Sequence, residues 1–574
     1  MNAVLPDIAF YDTVEPLAAA GRTADGSALY PPLPAGAARL RVLVLLDRDV
    51  VPAWIAQSLY ELAGSGDVEL LAAATVGGRV SRPLPWLLET YLRLDRFFAG
   101  GMRAVTAPCA LAQRLPQLPL PRFGGVASGE RLWLDDAARR EIRHLAPDLI
   151  LSFGLPPADA SLAVGVPHGI WSFGRHACDP LRAALWLIAP LWYGDVVTHG
   201  GLLVHRSDSG RWQLLQECWA ASAQLSFARN RAYQLQKVPA QLRRAVRDLA
   251  LGRMPAQTAA PPFAVPGNWQ VPAFGLRLIA RALRRHVPRL GLAEHWFLAL
   301  RRDALALDPG APTVDGFVRV EAPAGRFWAD PCVFRHDGRN YIFVEEYRYA
   351  VCRGRIVALE LGGDLKPVQT HVVLEAPSHL SYPFVFDWQG EVYMVVESAA
   401  ARRLDLYRAR RFPDDWVPLG EMLSGRAVVD ATVHCEDGHW YLFANVADSA
   451  FDDGGRILDD LYLFHADSPL GPWRPHPANP LVCDVRHARP AGRLFRHGGR
   501  LIRPAQDCST DYGYAIVFHE VLELSPQRYV ERPLGRLAPD WWPGLRGCHT
   551  YSVDGDLQAL DGKQWLPQMR LKEH

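Results

Sequence analysis

The sequence predicts a multidomain chain, an N-terminal open-sheet α/β domain followed by an all-β five-bladed propeller. Three observations lead there. A chain of 574 residues exceeds what one hydrophobic core organises. Its first half alternates buried-strand runs with helix-compatible stretches, which is the pattern of an α/β sheet. From about Trp296 onward short alternating strands recur between Gly and Asp turns, which is the pattern of a β repeat.

The first 38 residues are rich in Ala, Pro and Gly without a sustained period, and read as an extended leader or peripheral cover. The α/β domain is assigned to residues 39–250. Val42 to Leu46 is an apolar run closed by Asp47, as expected of a buried parallel strand, and Pro52 to Leu62 follows with helical spacing. Val68 to Ala73 and Asp148 to Phe153 supply further strands. Residues 251–291 read as a Pro-rich linker (Pro255, Pro261, Pro262, Pro266, Pro272) and then a short helix. On that helix Leu276, Ile279, Ala280, Leu283 and Val287 share one face and arginines take the other, so it is expected to pack through the apolar face with the basic face solvated.

The propeller is assigned to residues 292–574. Aligned on their turn glycines, Asp330 to Gly338, Tyr382 to Gly390, Asp430 to Gly438 and Ala491 to Gly499 superpose without gaps, and His549 to Gly555 is a weaker fifth copy. Each turn leads into an aromatic and β-branched strand, such as Tyr341 to Val344 or Trp440 to Phe443, so each unit opens with a hairpin. Trp296 to Leu300 is expected to supply an outer strand that closes the ring.

Propeller geometry turns this alignment into chemistry, because the first strand of every blade lines the central channel. The residues that open these strands, Asp330, Tyr382, Asp430, Ala491 and His549, should therefore meet at one mouth. The second strand runs back antiparallel and returns Glu345, Glu397, Asn445 and Gln506 to the same mouth. One such residue usually caps a turn or faces solvent, but an aligned set predicts a binding site. Sugar hydroxyls both donate and accept, so a site for them needs carboxylates, amides and guanidinium groups, with aromatic faces for the apolar side of the ring. Asp330, Asp430 and Glu397 are the candidate catalytic carboxylates, and crowding should raise at least one of their pKa values. Arg489 and Arg503 are the expected compensating charges. Trp328, Glu345, His379, Tyr382, Asn445, Gln506, Asp507 and His549 complete the predicted binding set, with Trp328 and Tyr382 as stacking faces.

Composition narrows the partners. Lys plus Arg total 62 against 61 Asp plus Glu, a balance that argues against a phosphate-backbone partner. Nine scattered cysteines lack paired metal-ligand spacing and suit a reducing compartment. Residues 1–7 do not read as a secretory signal, and the apolar run Ala183 to Tyr193, broken by Pro190, is too short to span a membrane. The expectation is a cytoplasmic protein free of nucleic acid, with no metal and no resident cofactor.

Phe327 to Pro331, Ser378 to Phe384, Arg489 to Gly492 and Arg503 to Cys508 resemble the propeller region of glucosamine inositolphosphorylceramide transferases and their bacterial relatives. More distantly the same segment is similar to the arabinanase and xylosidase superfamily of glycoside hydrolases. That resemblance puts Asp330 on the family's base and Asp430 on its pKa modulator. The family's acid opens the fourth blade, where this chain has Ala491 and Gly492, so Glu397 or Glu345 must replace it or hydrolysis is lost. The N-terminal domain resembles the formyltransferase fold through Leu145 to Ile150, Gly165 to Phe173, Gly194 with Asp195, and Ser207 to Gly210. Asp208 matches that family's Asp, its Asn-x-His element is replaced by Ile170 to Gly174, and His176 lies nearby. Formyl transfer is therefore not expected. A Gly-x-Gly-x-x-Gly cradle does not follow Val42 to Leu46. These resemblances imply a glycosyltransferase of cell-surface or lipid-linked glycan assembly. Its substrate would be a sugar, nucleotide sugar or glycolipid, and peripheral membrane contact is compatible with it. A glycoside hydrolase using Asp330 as base and a non-catalytic sugar-binding scaffold are the alternatives.

Overall fold

The computed structural model describes residues 28–77, 84–99, 104–128, 131–158, 160–173, 182, 184–259, 264–448 and 459–568. The described residues form two units, one holding Pro32–Arg285 and the other Ala28–Pro31 with the described chain from His286 onward.

In the first unit the apolar runs pair as expected. Leu40–Leu46 lies parallel to both Val68–Val76 and Leu149–Phe153. The sheet runs in the order Gln257–Ala259, Arg211–Ala221, Val197–Arg206, Ile170–Ser172, Leu149–Phe153, Leu40–Leu46, Val68–Val76 and Arg122–Phe123. It is mixed, because Val197–Arg206 and Arg211–Ala221 form an antiparallel hairpin beside the parallel strands. The helices Ala53–Gly64 and Phe227–Ala250 cover one face, and their apolar residues join the strands in a core around Val42, Val44, Leu151 and Leu242. The Pro-rich segment is not a free linker, since Gln257–Ala259 adds a strand to this sheet. The division between units falls instead at Arg285 and His286.

The helix Val271–His286 departs from the expectation for its apolar face, while Arg277, Arg284 and Arg285 are exposed as expected. It is anchored by Phe274, which is fully buried and stacks on Trp192 with centroids 4.6 Å apart. Leu276, Ile279 and Leu283, predicted to pack, are exposed. Amphipathic spacing identifies two faces of a helix but not which one meets the protein; here a single aromatic residue decided that.

The second unit is a five-bladed β-propeller. Blade I is Arg326–His336, Arg339–Arg348, Arg353–Leu361 and Pro367–Leu374; blade II is Ser381–Trp388, Glu391–Ser398, Arg403–Arg411 and Asp415–Ser424. Blade III is Val428–Glu436, His439–Val446, Leu461–Ala466 and Arg474–Pro475. In blade IV Arg489–Pro490 and Phe495–His497 both pair with Arg500–Asp507, followed by Ala515–Leu524 and Tyr529–Leu537. Blade V joins the two ends of this unit: Tyr551–Asp554 and Leu557–Pro567 are completed by Leu292–Arg302 and Val318–Val320. The segment around Trp296 is thus the third strand of its blade and not the outermost.

The repeated turn is one device used again and again. His336 pairs with Arg339, Trp388 with Glu391, Glu436 with His439 and His497 with Arg500, leaving two-residue loops. Both loop residues have positive φ in each, as in Asp337 and Gly338 at 47° and 74°. That is the type I′ turn, whose twist matches the flanking strands and whose second position favours glycine. Of the leader, residues 28–38 are described, and Leu29 and Tyr30 are buried against blades II and III. There the Tyr30 hydroxyl donates to Asp448 at 2.5 Å and Asn479 Nδ2 donates to the Leu29 carbonyl at 3.1 Å.

Candidate functional site

The site begins with a backbone irregularity repeated in three blades. The first strand slips register between Ala329 and Cys332, between Ser381 and Phe384, and between Val429 and Thr432. At each slip one residue takes a left-handed conformation: Asp330 at φ 52°, Tyr382 at 46° and Asp430 at 53°. Non-glycine residues avoid this region, and such strain concentrates where function over-determines the backbone. The bulge also breaks the two-residue alternation of side chains. Asp330 therefore faces the channel while Trp328, two residues earlier, enters the core beside Val333 and Val344, with its Nε1 donating to Glu346 at 3.3 Å.

The buried acids then form a chain across the blades. Tyr382 N–H donates to Asp330 Oδ2 at 3.3 Å, and Thr550 Oγ1 donates to Asp330 Oδ1 at 3.3 Å. Glu345 lies close enough to Asp330 for the two carboxyl groups to oppose each other's ionisation. The Asp430 N–H donates to Glu397 Oε2, and the Ser381 hydroxyl donates to Oε1 at 2.6 Å. Arg489 clamps Asp430 through Nε and Nη2, and Gln506 Nε2 adds a third bond to Asp430 at 2.6 Å. His549 bridges Asp561, 2.6 Å from Nδ1, and Asp330, 3.3 Å from Nε2.

Here acids outnumber cations, and the titrations show it. Burial, reinforced by the neighbouring Asp430 and Asp561 and opposed by His549, pushes Asp330 up to about 6. Burial and the nearby Asp430 push Glu397 to about 8 against the pull of Arg489. Glu345 rises well above the usual carboxylate range through burial and the charges of Asp330 and Glu397. Burial would lower His549, but Asp561 and Asp330 outweigh it and raise it. His379 faces Glu345 from the rim, its Nδ1 accepting the Gly354 N–H at 3.0 Å and its Nε2 lying 3.4 Å from Glu345 Oε1. Burial lowers it to about 4, so the ring is neutral and Nε2 carries the proton toward Glu345.

The structure thus gathers Asp330, Glu345, His379, Glu397, Asp430, Arg489, Gln506 and His549. Asn445 pairs with Val429, just before Asp430, in the register that places Glu345 opposite Ala329. It is fully buried, and among the described residues neither its amide nitrogen nor its oxygen has a hydrogen-bond partner.

Three predicted members do other work besides Trp328. The Tyr382 hydroxyl accepts the Gly492 N–H at 2.7 Å and lies 2.9 Å from Thr432 Oγ1, so its buried ring ties blade II to blade IV and offers no stacking face. Gly492 can approach so closely because it has no Cβ, which would fall 2.0 Å from the Tyr551 carbonyl oxygen. Arg503 points away from the acids and grips Glu531 in a fork of 2.7 and 2.8 Å. Asp507 binds Arg536 at 2.8 Å and the Ser509 N–H.

Other residues reach the site without having been anticipated. Tyr512, partly exposed, receives Arg489 over its ring at 4.9 Å and stands edge-on to His549 at 5.4 Å. Tyr347, also partly exposed, lies 6.2 Å from the His379 ring. These two are the rings with exposed surface beside the site, where Tyr382 and Trp328 are buried. Lys563 is the fifth member of the second-strand row: counted from the second residue of each loop, Glu345, Glu397, Asn445, Gln506 and Lys563 are equivalent. Alignment on Gly555, the first loop residue of its turn, had hidden this. Asp561, two residues earlier on the same strand, shares that face.

Among the described residues, two donor groups are close enough for a cation. Asp330, His549 and Asp561 bring their ligand atoms within 4.8 Å, with the imidazole lying between the carboxylates. His487, His519 and Glu531 do the same, but both Glu531 oxygens are already held by Arg503 and Tyr529. In that second group the guanidinium supplies the positive charge.

Residues 313–567 match the family model described as glucosamine inositolphosphorylceramide transferase 1, N-terminal. A glucosamine inositolphosphorylceramide transferase 1 from Oryza sativa subsp. japonica is 33% identical over 253 residues, covering 42% of this chain and 33% of that protein. Its counterpart from Arabidopsis thaliana is 34% identical over 251 residues, covering 42% of this chain and 31% of that protein. The chain spans about a third of the length of the curated relatives it matches. Among solved structures, a GH43_1 enzyme from Xanthomonas citri aligns over 43% of this chain and 89% of its own at 15% identity, with a TM-score of 0.31.

Proposed function

We propose that the propeller mouth is a sugar site and that the protein transfers a glycosyl group in cell-surface or lipid-linked glycan assembly, with a nucleotide sugar or glycolipid as substrate. The observation that carries the sugar site is Asn445. A buried amide with both ends unpaired costs on the order of 1–3 kcal/mol per group, and sugar hydroxyls, which donate and accept, would satisfy both. It stands in the same row as Glu397 and Gln506, so a ring that reaches it also reaches the acids.

Acid–base chemistry is built in beside it. At neutral pH Glu397, with its pKa near 8, holds a proton that a departing oxygen can take, while Asp330, near 6, is the carboxylate that can accept one from an incoming hydroxyl. In transfer the incoming hydroxyl belongs to an acceptor sugar or lipid, and in hydrolysis to water. The names of the curated relatives favour transfer, although the matched segment is by its own description the N-terminal part of such proteins. Hydrolysis is the second reading, and the pairing of a raised Glu397 with a lower Asp330 favours it. A nucleotide-sugar donor suits the cytoplasm, the compartment we propose.

We infer further that the α/β unit has a formyltransferase-like architecture without that chemistry. Asp208 is held by Arg206 in a fork, which outweighs the rise that burial alone would cause and keeps its carboxyl below the usual range. A low-pKa, ion-paired carboxylate is a poor general base. Ile170, Trp171 and Ser172 stand buried where that family's Asn-x-His element would be; His176 lies outside the described residues.

The test is a screen of the full chain with nucleotide sugars plus lipid or sugar acceptors, and in parallel with aryl glycosides. Transfer predicts nucleotide release that depends on an acceptor. Aryl alcohol release without an acceptor would replace transfer by hydrolysis. Absence of both turnover and sugar binding would overturn the sugar site itself.

A further inference from the structure

The helix Val271–His286 carries an exposed apolar face with no partner among the described residues. Leu276, Ile279 and Leu283 are 69%, 58% and 57% exposed, and at 100° per residue they form one stripe along the helix. The helix is not loosely held: Phe274 anchors its opposite face against Trp192 and stands edge-on to Tyr91 at 5.4 Å, and Arg281 donates to the Leu191 carbonyl. A fixed helix presenting such a stripe marks an interaction surface.

Charge identifies the partner. The helix contains no acidic residue, and Arg277 and Arg284 border the stripe, with Arg285 and His286 at its end. Trp269, just before the helix, is 95% exposed. On the neighbouring helix Trp86–Phe98, joined to Phe274 through Tyr91, Phe97 and Phe98 are also exposed. An apolar stripe, an arginine border and exposed aromatic rings are the features of a helix that lies in a membrane interface, with aromatics at headgroup level and cations on anionic lipid. A protein partner of ordinary composition would not call for an acid-free helix. No helix among the described residues is long and apolar enough to cross a membrane, so the contact is interfacial. We propose that this face docks the protein on an anionic lipid surface, independently of what the propeller mouth binds.

Flotation of the full chain with phosphatidylcholine vesicles, with and without phosphatidylserine, tests this. The protein should float with the phosphatidylserine vesicles, less so as salt rises, and remain behind with phosphatidylcholine alone. Changing Leu276, Ile279 and Leu283 to serine together should lower the bound fraction roughly tenfold or more with an unchanged melting temperature. R284A should weaken binding about fivefold. Failure of the wild type to float, or equal flotation of the triple variant, would overturn the proposal. So would a wild-type dimer that the triple variant turns into a monomer without any vesicle binding, because the face would then serve self-association.

Discussion

Two buried arginines of the fourth blade, Arg489 and Arg503, look alike in sequence and behave differently in the fold. Arg503 meets a single carboxylate, Glu531, which it holds in a fork and which Tyr529 also contacts; despite burial Glu531 is drawn down to about 2. Arg489 meets Asp430 inside a group of acids that it cannot neutralise, and Glu397, Glu345 and Asp330 all rise. A matched pair strengthens the charged form and serves the fold. An unmatched cluster stores protons near neutral pH, which folding does not need and proton transfer does.

The largest effect expected from this contrast is at the matched pair. Glu531→Gln leaves Arg503 buried without its counter-charge, and breaking such a pair costs about 3–5 kcal/mol. Chemical denaturation should show that loss, whereas the same measurement on Arg532→Ala, whose side chain is 58% exposed in its pair with Glu520, should change little. Equal losses would mean that burial does not distinguish these pairs.

A middle-sized effect separates the acids by pH. Glu397 binds its proton more tightly folded than unfolded, so its contribution to stability is full below about 4.5 and is lost as pH rises through about 8. Glu397→Gln imitates the protonated acid: its oxygen can accept the Asp430 N–H and its amide can donate to the Ser381 hydroxyl oxygen. Denaturation curves from pH 5 to 8 should therefore fall less steeply in the variant, by up to ~1.4 kcal/mol per pH unit. Parallel curves would show that Glu397 does not carry the raised titration. Any turnover should be confined to roughly the same interval, between about 6 and about 8, with both limbs belonging to the coupled cluster.

The smallest effect is expected in the other unit. Asp208→Asn breaks a half-exposed ion pair with Arg206, worth about 0–1 kcal/mol, and should leave sugar turnover unchanged. A turnover loss beyond tenfold would bring this unit into the chemistry.

The sequence made the blades legible because hairpin turns are local: Asp337 with Gly338 and Asp437 with Gly438 announce their geometry in two residues. The mouth was legible through equivalence, since Asp330, Asp430, Glu397 and Asn445 occupy repeated positions. The failures have physical causes of their own. Arg503 lies three residues before Gln506 on a regular strand, an odd separation that puts it on the other face, so its error was readable. Trp328 was misplaced by a bulge, a register slip that alternation cannot anticipate. Tyr512 follows a strand in a loop, outside the repeat. The stripe on Val271–His286 was visible as a face, but its exposure depends on where Phe274 docks, a tertiary contact.

The acid surplus serves a ligand and not the fold, and Asp330→Asn separates the two roles in a single variant. Asn keeps one oxygen, which can accept the Tyr382 N–H in place of Oδ2, and its amide, in place of Oδ1, can donate to the Thr550 hydroxyl oxygen, while one of the crowded charges is removed. With a binding sugar or substrate in hand, melting temperature and ligand response should be measured on one preparation at pH 7.5. The predicted result is a melting temperature equal to or above the wild type, with turnover reduced by roughly 10²–10⁴-fold or binding lost. A lower melting temperature with ligand behaviour intact would contradict the claim and make Asp330 a structural residue of its bulge.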